Sequence, residues 1–205
     1  MEEKELRNGM REITLNHQDI ENLMSEVRRA IASGDGELLE KILMWKKEKM
    51  FLGTWGMDGI TLKWILLNLE TGKTILEFGS GEGTTKVLSE HFNMISIEED
   101  EKYVGRYKSH YIHVPLKDGW YDREILKTEL VGIDYDMIII DGPAHGERKK
   151  FLENLDLFDL DKIIVCDDLG APSTTEMWNT LAPIVQKKYD RNFYLLPGTK
   201  TGIIC

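Results

Sequence analysis

The chain is short of cysteine, of positive charge and of long apolar runs. It has two cysteines, Cys166 and Cys205, in 205 residues. That is too few for a disulfide framework or a cysteine zinc site, and Cys166, inside an apolar run, reads as an inert buried thiol. Lysine and arginine number 26 against 36 aspartates and glutamates, a net charge of −10. A phosphate backbone needs a basic face, so no nucleic-acid partner is expected. A cationic small ligand suits the acidic balance better. No apolar run approaches the roughly 18 residues of a membrane span. The opening "MEEKELRNGM" is charged and has no apolar centre, unlike a signal peptide. The expectation is a protein with no membrane contact and a cytoplasmic location. Repeats and low-complexity linkers are also lacking. The remaining composition, 41% hydrophobic and 30% charged, is that of one domain with a full core.

Helical patterning comes first along the chain. Ile20, Leu23, Met24, Val27 and Ile31 recur at steps of three and four, with Gly34 as a natural stop. Leu38, Leu39, Ile42, Leu43 and Trp45 suggest a second helix, and residues 60–69 a third. Residues 1–59 read as an N-terminal helical extension, and residues 60–205 as the main domain. From Thr74 onward short apolar runs alternate with helical patterns. "TILEF", "MISIE", "YIHVP", "MIIID" and "KIIVCD" are the strands, and residues 84–92, 101–108, 122–130, 147–157 and 174–188 the intervening helices. "MIII" and "KIIV" are apolar throughout, as when helices cover both faces of a sheet. The alternation predicts an α/β, doubly wound, mostly parallel sheet. Ser173 and Glu176 form a capping-box pattern for the last helix, which Pro183 should kink or shorten. Two strand-like runs around "PGTK" predict a closing hairpin.

The first strand runs into "EFGSGEG". In an open parallel sheet, ligands bind beyond the carboxyl ends of the strands. Gly79, Gly81 and Gly83 allow a ligand to approach the backbone closely. A P-loop needs Gly-Lys-Ser/Thr at its end, but Gly83 is followed by Thr84 and Thr85. A dinucleotide fingerprint needs its third glycine at position 84, and here it comes one residue early. The pattern present is acid-x-G-x-G-x-G, with Glu77 as the acid. Glu98 ends the second strand, where a carboxylate can accept both hydroxyls of a ribose. Asp118, after the third strand, is placed to meet an adenine amino group, with Trp120 or Tyr121 against the adenine face.

This order of features resembles the class I S-adenosylmethionine-dependent methyltransferases over residues 60–205. The resemblance implies a Rossmann-like methyltransferase fold: seven strands, the sheet mostly parallel, with an antiparallel C-terminal strand. It implies S-adenosyl-L-methionine as cofactor, held by Glu77, Gly79, Gly81, Gly83, Glu98 and Asp118. It places substrate and catalytic groups at the fourth strand's tip, which is Asp141. Asp167 and Asp168 end the fifth strand. The three carboxylates resemble the metal site of catechol-type O-methyltransferases, which carry an aspartate on the fourth strand and an Asp-Asn pair after the fifth. Here the pair is Asp-Asp. Mg²⁺ or another divalent cation is the implied ion, held by oxygen ligands. "DGP" at residues 141–143 also resembles the glucuronoxylan 4-O-methyltransferases. Both likenesses imply methylation of an oxygen on a small molecule or sugar. No Asn/Asp-Pro-Pro-Tyr motif is present, which speaks against a base as acceptor.

Several assignments stay open between two readings. His145 is either a general base or a solvated loop residue. Asp168 is either a metal ligand or a cap on the following turn. Arg148, Lys149 and Lys150 either hold an acidic group of the substrate or form a solvated face. Trp55, Met57 and Asp58 form a lid, or Trp55 and Trp64 are ordinary core residues, the reading that suits Trp64. Two rival functions also remain: a non-catalytic adenosylmethionine- or adenosylhomocysteine-binding module, and an NAD-dependent oxidoreductase.

Overall fold

A computed structural model describes residues 2–5, 11–14, 57–143 and 147–205. Near the N-terminus, in a stretch expected to be helical, β1 (Glu2–Glu5) pairs with β2 (Arg11–Thr14) in an antiparallel ladder. The helices expected around residues 20–31 and 38–45 lie outside the described residues, as does Trp55. No described helix is long and apolar enough to cross a membrane.

Helix α1 spans Gly59–Asn68. Asp58 caps it, accepting from the backbone N–H groups of Ile60 at 2.8 Å and Thr61 at 3.1 Å. That capping satisfies two donors that the first turn leaves without a helical partner. Residues 60–66 of α1 are all buried, because the helix is covered on several sides. Met57 and Trp64 join the same core, as expected for Trp64, while Met57 packs and Asp58 caps where a lid is one reading for them.

Strands β3 (Thr74–Phe78), β4 (Asn93–Glu98) and β5 (His110–His113) follow, with the short α2 (Thr85–Leu88) between the first two. A small hairpin, β6 (Leu116–Lys117) and β7 (Trp120–Tyr121), leads into α3 (Arg123–Glu129). Then come β8 (Met137–Ile140), a 3-10 helix (Arg148–Leu157), β9 (Ile163–Cys166), α4 (Pro172–Tyr189), β10 (Phe193–Leu195) and β11 (Gly202–Ile204). The main sheet has seven strands in the order β10-β11-β9-β8-β3-β4-β5. Strands β3, β4, β5, β8 and β9 pair in parallel, and β11 is antiparallel to both its neighbours. The expected doubly wound sheet and closing hairpin are both present.

Alternation of side chains sorts the strands onto two cores. Leu76, Phe78, Ile138, Ile140, Ile164 and Cys166 face one way, against α4 and the 3-10 helix. Ile75, Met137, Ile139, Val165 and Ile203 face the other, with α1. Phe78 anchors an aromatic cluster, its ring centroid 5.4 Å from Tyr121, 5.7 Å from Trp120 and 5.3 Å from Phe158.

Four local expectations need correction. Residues 101–108 form successive turns instead of a helix; Gly105 takes φ +77° in their midst, and Val104 is the only aliphatic residue there. Ser173 is not the N-cap of the last helix, because α4 begins at Pro172, whose fixed φ suits the first helical position. Pro183 does not shorten α4, which continues to Tyr189 and closes with Asp190 in the left-handed region. The β6–β7 hairpin is an element the strand–helix alternation does not predict, although its Asp118-Gly119 turn is a strong hairpin signal; both residues have positive φ, 55° and 82°.

Candidate active site

The carboxyl ends of β3, β4, β8 and β9 lie side by side, and their following loops build the site. Gly79 leaves β3 with φ +81°, and its N–H still donates to Ile97 at 2.9 Å. A Cβ on Gly79 would meet the backbone of Gly142 at 3.3 Å, and one on Gly142 would lie 2.8 Å from the nitrogen of Gly79. The loops after β3 and β8 therefore approach backbone to backbone, which only glycine permits. Gly81 donates its N–H to the Thr85 hydroxyl at 2.8 Å, and Gly83 is buried at the start of α2. Helix α2 has four residues, shorter than the sequence pattern suggests.

Glu98, at the tip of β4, holds this loop. One carboxylate oxygen accepts from the Ser80 N–H at 2.9 Å and its hydroxyl at 2.6 Å; the other accepts from the Asp100 N–H at 3.1 Å. Glu77 sits inside β3 with 1% of its surface exposed. Its Oε1 accepts from the Ser96 hydroxyl on the paired position of β4, and its Oε2 has no hydrogen-bond partner among the described residues. Burial pushes the Glu77 carboxyl up from 4.5 to about 8, outweighing the nearby hydroxyls of Ser96 and Thr85. Just beyond β4, Glu99 accepts from the Tyr121 hydroxyl at 3.1 Å, and burial raises its pKa too.

Asp141, Asp167 and Asp168 come together as expected, each offering an oxygen within 4.8 Å of the others. Asp141 is at the tip of β8, its N–H donating to the Phe78 carbonyl at 3.2 Å. Burial, then the Asp167 charge, push its carboxyl up from 3.8 to about 7, with Arg148 opposing. Asp167 continues β9, and burial also raises its pKa. A buried hydroxyl chain reaches it from the N-cap of α1: Thr61 lies 2.9 Å from Asp58 and 2.8 Å from Thr201, and Thr201 donates to Asp167 at 3.0 Å. Asp168 has φ +58°, and its backbone carbonyl, not its side chain, accepts from Ala171 in the following turn.

Arg148, the first residue of the 3-10 helix, stands among these acids with 4% of its side chain exposed. Its Nη2 lies 3.2 Å from Asp141 Oδ1 and 3.2 Å from Asp168 Oδ2. Its Nε donates to the Pro143 carbonyl and its Nη1 to the Asp167 carbonyl, both at 3.2 Å. The solvated-face reading of Arg148 is thereby overturned, and its three nitrogens are all engaged with protein. The acids supply the oxygen donors a hard divalent cation takes. A guanidinium already fills the cation position between two of them, so the residues present do not fit an added ion.

Asp118 occupies the turn of the β6–β7 hairpin and is exposed; Lys150 donates to its carbonyl. It borders a cavity of about 270 Å³ to which Glu77, Glu98, the glycine loop and Asp141 do not contribute. Trp120 and Tyr121 are buried in the aromatic core, and do not stand free to cover an adenine. His145 lies outside the described residues. Sequence reasoning also misses Arg148 as part of the cluster and Ser80 as the partner of Glu98. Both contacts are tertiary and leave no local pattern.

No family model matches the chain, and no curated protein matches it. Solved structures do. An O-methyltransferase from Bacillus cereus in complex with SAH matches at 12% identity over 89% of this chain and 90% of its own, with a TM-score of 0.53. A Klebsiella pneumoniae protein assigned as an O-methyltransferase matches at 12% identity over 94% and 90%, also with a TM-score of 0.53. The MycE methyltransferase of the mycinamycin pathway, in complex with Mg and SAH, matches at 16% identity and a TM-score of 0.49, over 98% of this chain and 62% of its own length. With its strand order and single reversed strand, the chain has the Rossmann-like fold of the class I methyltransferases.

Proposed function

We propose that the chain transfers a methyl group from S-adenosyl-L-methionine to an oxygen of a small molecule or sugar. The observation that carries this reading is the chemistry around the glycine loop. Glu77, Glu98 and Asp141 edge bare backbone, and one oxygen of Glu77 is buried without a partner among the described residues. Such a site offers hydrogen-bond acceptors to a ligand that carries an ammonium and a sulfonium. The close approach of Gly79 to Gly142 supports it, since it brings the bare backbone of the β3 and β8 loops together at the carboxyl edge of the sheet.

When bound, the cofactor supplies a methyl carbon on a positively charged sulfur, which departs as a neutral thioether. The chain's own residues do the rest. Glu98 accepts hydroxyls of the ribose, with Ser80 keeping it oriented. Glu77 offers its unpartnered oxygen toward the positive end. Asp141, with a pKa of about 7, takes the proton of the acceptor hydroxyl as the new oxygen–carbon bond forms. Little acid–base force is needed, so placement supplies much of the rate. The test separates binding from transfer. Asp141→Asn should lower methyl transfer to hydroxyl acceptors at least about 100-fold while leaving cofactor affinity within about threefold. Equal loss of both would refute the role of Asp141. Transfer to amines alone would refute the oxygen acceptor.

A further inference from the structure

Clusters of oxygen donors at this spacing are places where divalent cations bind. In this chain the cluster already contains a cation. The guanidinium of Arg148 lies 3.2 Å from carboxylate oxygens of both Asp141 and Asp168. It also donates to backbone carbonyls of Asp141, Pro143 and Asp167, so it ties the loop after β8 to the loop after β9. The side chain is 4% exposed, which leaves it no solvent-facing alternative. A divalent ion sharing the same oxygens would sit against the guanidinium, and like charges at that range repel strongly in a buried site.

We propose that Arg148 is the resident cation of the three-aspartate cluster, that the native chain takes no divalent metal there, and that its transfer reaction proceeds without one. The planar fork of Arg148 holds Asp141 and Asp168 at fixed positions, the orienting work that a metal would perform. Arg148 is thus a positioning residue: it acts on the acceptor through Asp141. Because each of its nitrogens is engaged with protein, it is not the group that receives an acidic moiety of the substrate. The part of this inference that concerns transfer rests on the function proposed above. The part that concerns metal does not.

Manganese titration followed by electron paramagnetic resonance tests it on the full chain, with Mn²⁺ as the probe. The native protein should bind no stoichiometric Mn²⁺ at about millimolar ion. Arg148→Ala, which removes the guanidinium from between Asp141 and Asp168, should gain one Mn²⁺ site at least about tenfold tighter than any on the native chain. Adding Asp168→Asn to that variant should remove the site. Arg148→Lys keeps the charge and should stay silent like the native chain. Methyl transfer should change less than about twofold on chelation, where a metal-dependent enzyme would lose nearly all activity. One Mn²⁺ bound by the native chain and lost on Asp168→Asn overturns the proposal. So does a folded Arg148→Ala that binds Mn²⁺ no better than the native chain. If Arg148→Ala does not fold, the native chain and Asp168→Asn decide the matter by themselves. Calorimetry with adenosylmethionine is run in parallel. Absence of cofactor binding there would refute the proposed function and leave the metal result standing.

Discussion

Replacing Glu77 with glutamine should change how the protein's stability responds to pH. Glu77 is 1% exposed, and burial raises its carboxyl from 4.5 to about 8. Between those values the folded chain keeps the proton and the unfolded chain has lost it. Folding therefore takes up a proton, and stability falls by about 1.4 kcal/mol for each unit of rising pH. The contribution is fully present below 4.5 and is lost as pH rises through about 8. From pH 5 to pH 8 the native chain should lose about 3 kcal/mol through this one group. A glutamine side chain has nearly the shape of the protonated acid, can still accept from Ser96, and does not titrate. Urea unfolding of both proteins at pH 5 and pH 8 isolates the effect, because other groups largely cancel in the difference. The stability of Glu77→Gln relative to the native chain should rise by about 3 kcal/mol across that interval. A difference that stays constant within about 0.5 kcal/mol would refute the claim that Glu77 is held neutral.

Three further outcomes follow from named contacts. Gly79→Ala puts a Cβ at φ +81° and 3.3 Å from Gly142; it should lower stability by about 1–2 kcal/mol in urea and weaken adenosylmethionine binding at least about tenfold by calorimetry, and native affinity would contradict the cradle. Gly202→Ala puts a Cβ 2.7 Å from the Trp178 ring; it should lower stability by about 1–3 kcal/mol, and an unchanged urea midpoint would show that the ring moves freely. Asp141 must be ionised to take a proton, so transfer should rise with pH and level off above about 7; a rate indifferent to pH across that value would remove it as the base.

The parallel core is legible because burial on both faces leaves runs such as "MIII" that few other structures explain. The glycine turn is legible because its backbone demand is local: Gly79 does have positive φ. Residues 101–108 mislead because Tyr103, Val104 and Tyr107 mimic helical spacing, while Gly105 and the lack of aliphatic neighbours let i-to-i+3 turns prevail. Ser173 and Glu176 carry a helix-start signal that Pro172 pre-empts one residue earlier. Asp118 reads as a ligand contact, and the structure places it in an Asp-Gly hairpin turn, a signal the strand–helix alternation hides. Arg148 is the least legible. Its run of three basic residues is common on solvated helices, and only the folding of the β8 and β9 loops around it brings it to Asp141 and Asp168.

A crystal structure of the chain with adenosylhomocysteine should show the nucleoside over residues 79–83, with its ribose hydroxyls on Glu98 and its amino-acid end toward Glu77 and Asp141. Density elsewhere on the surface, or its absence at saturating ligand, would contradict that placement.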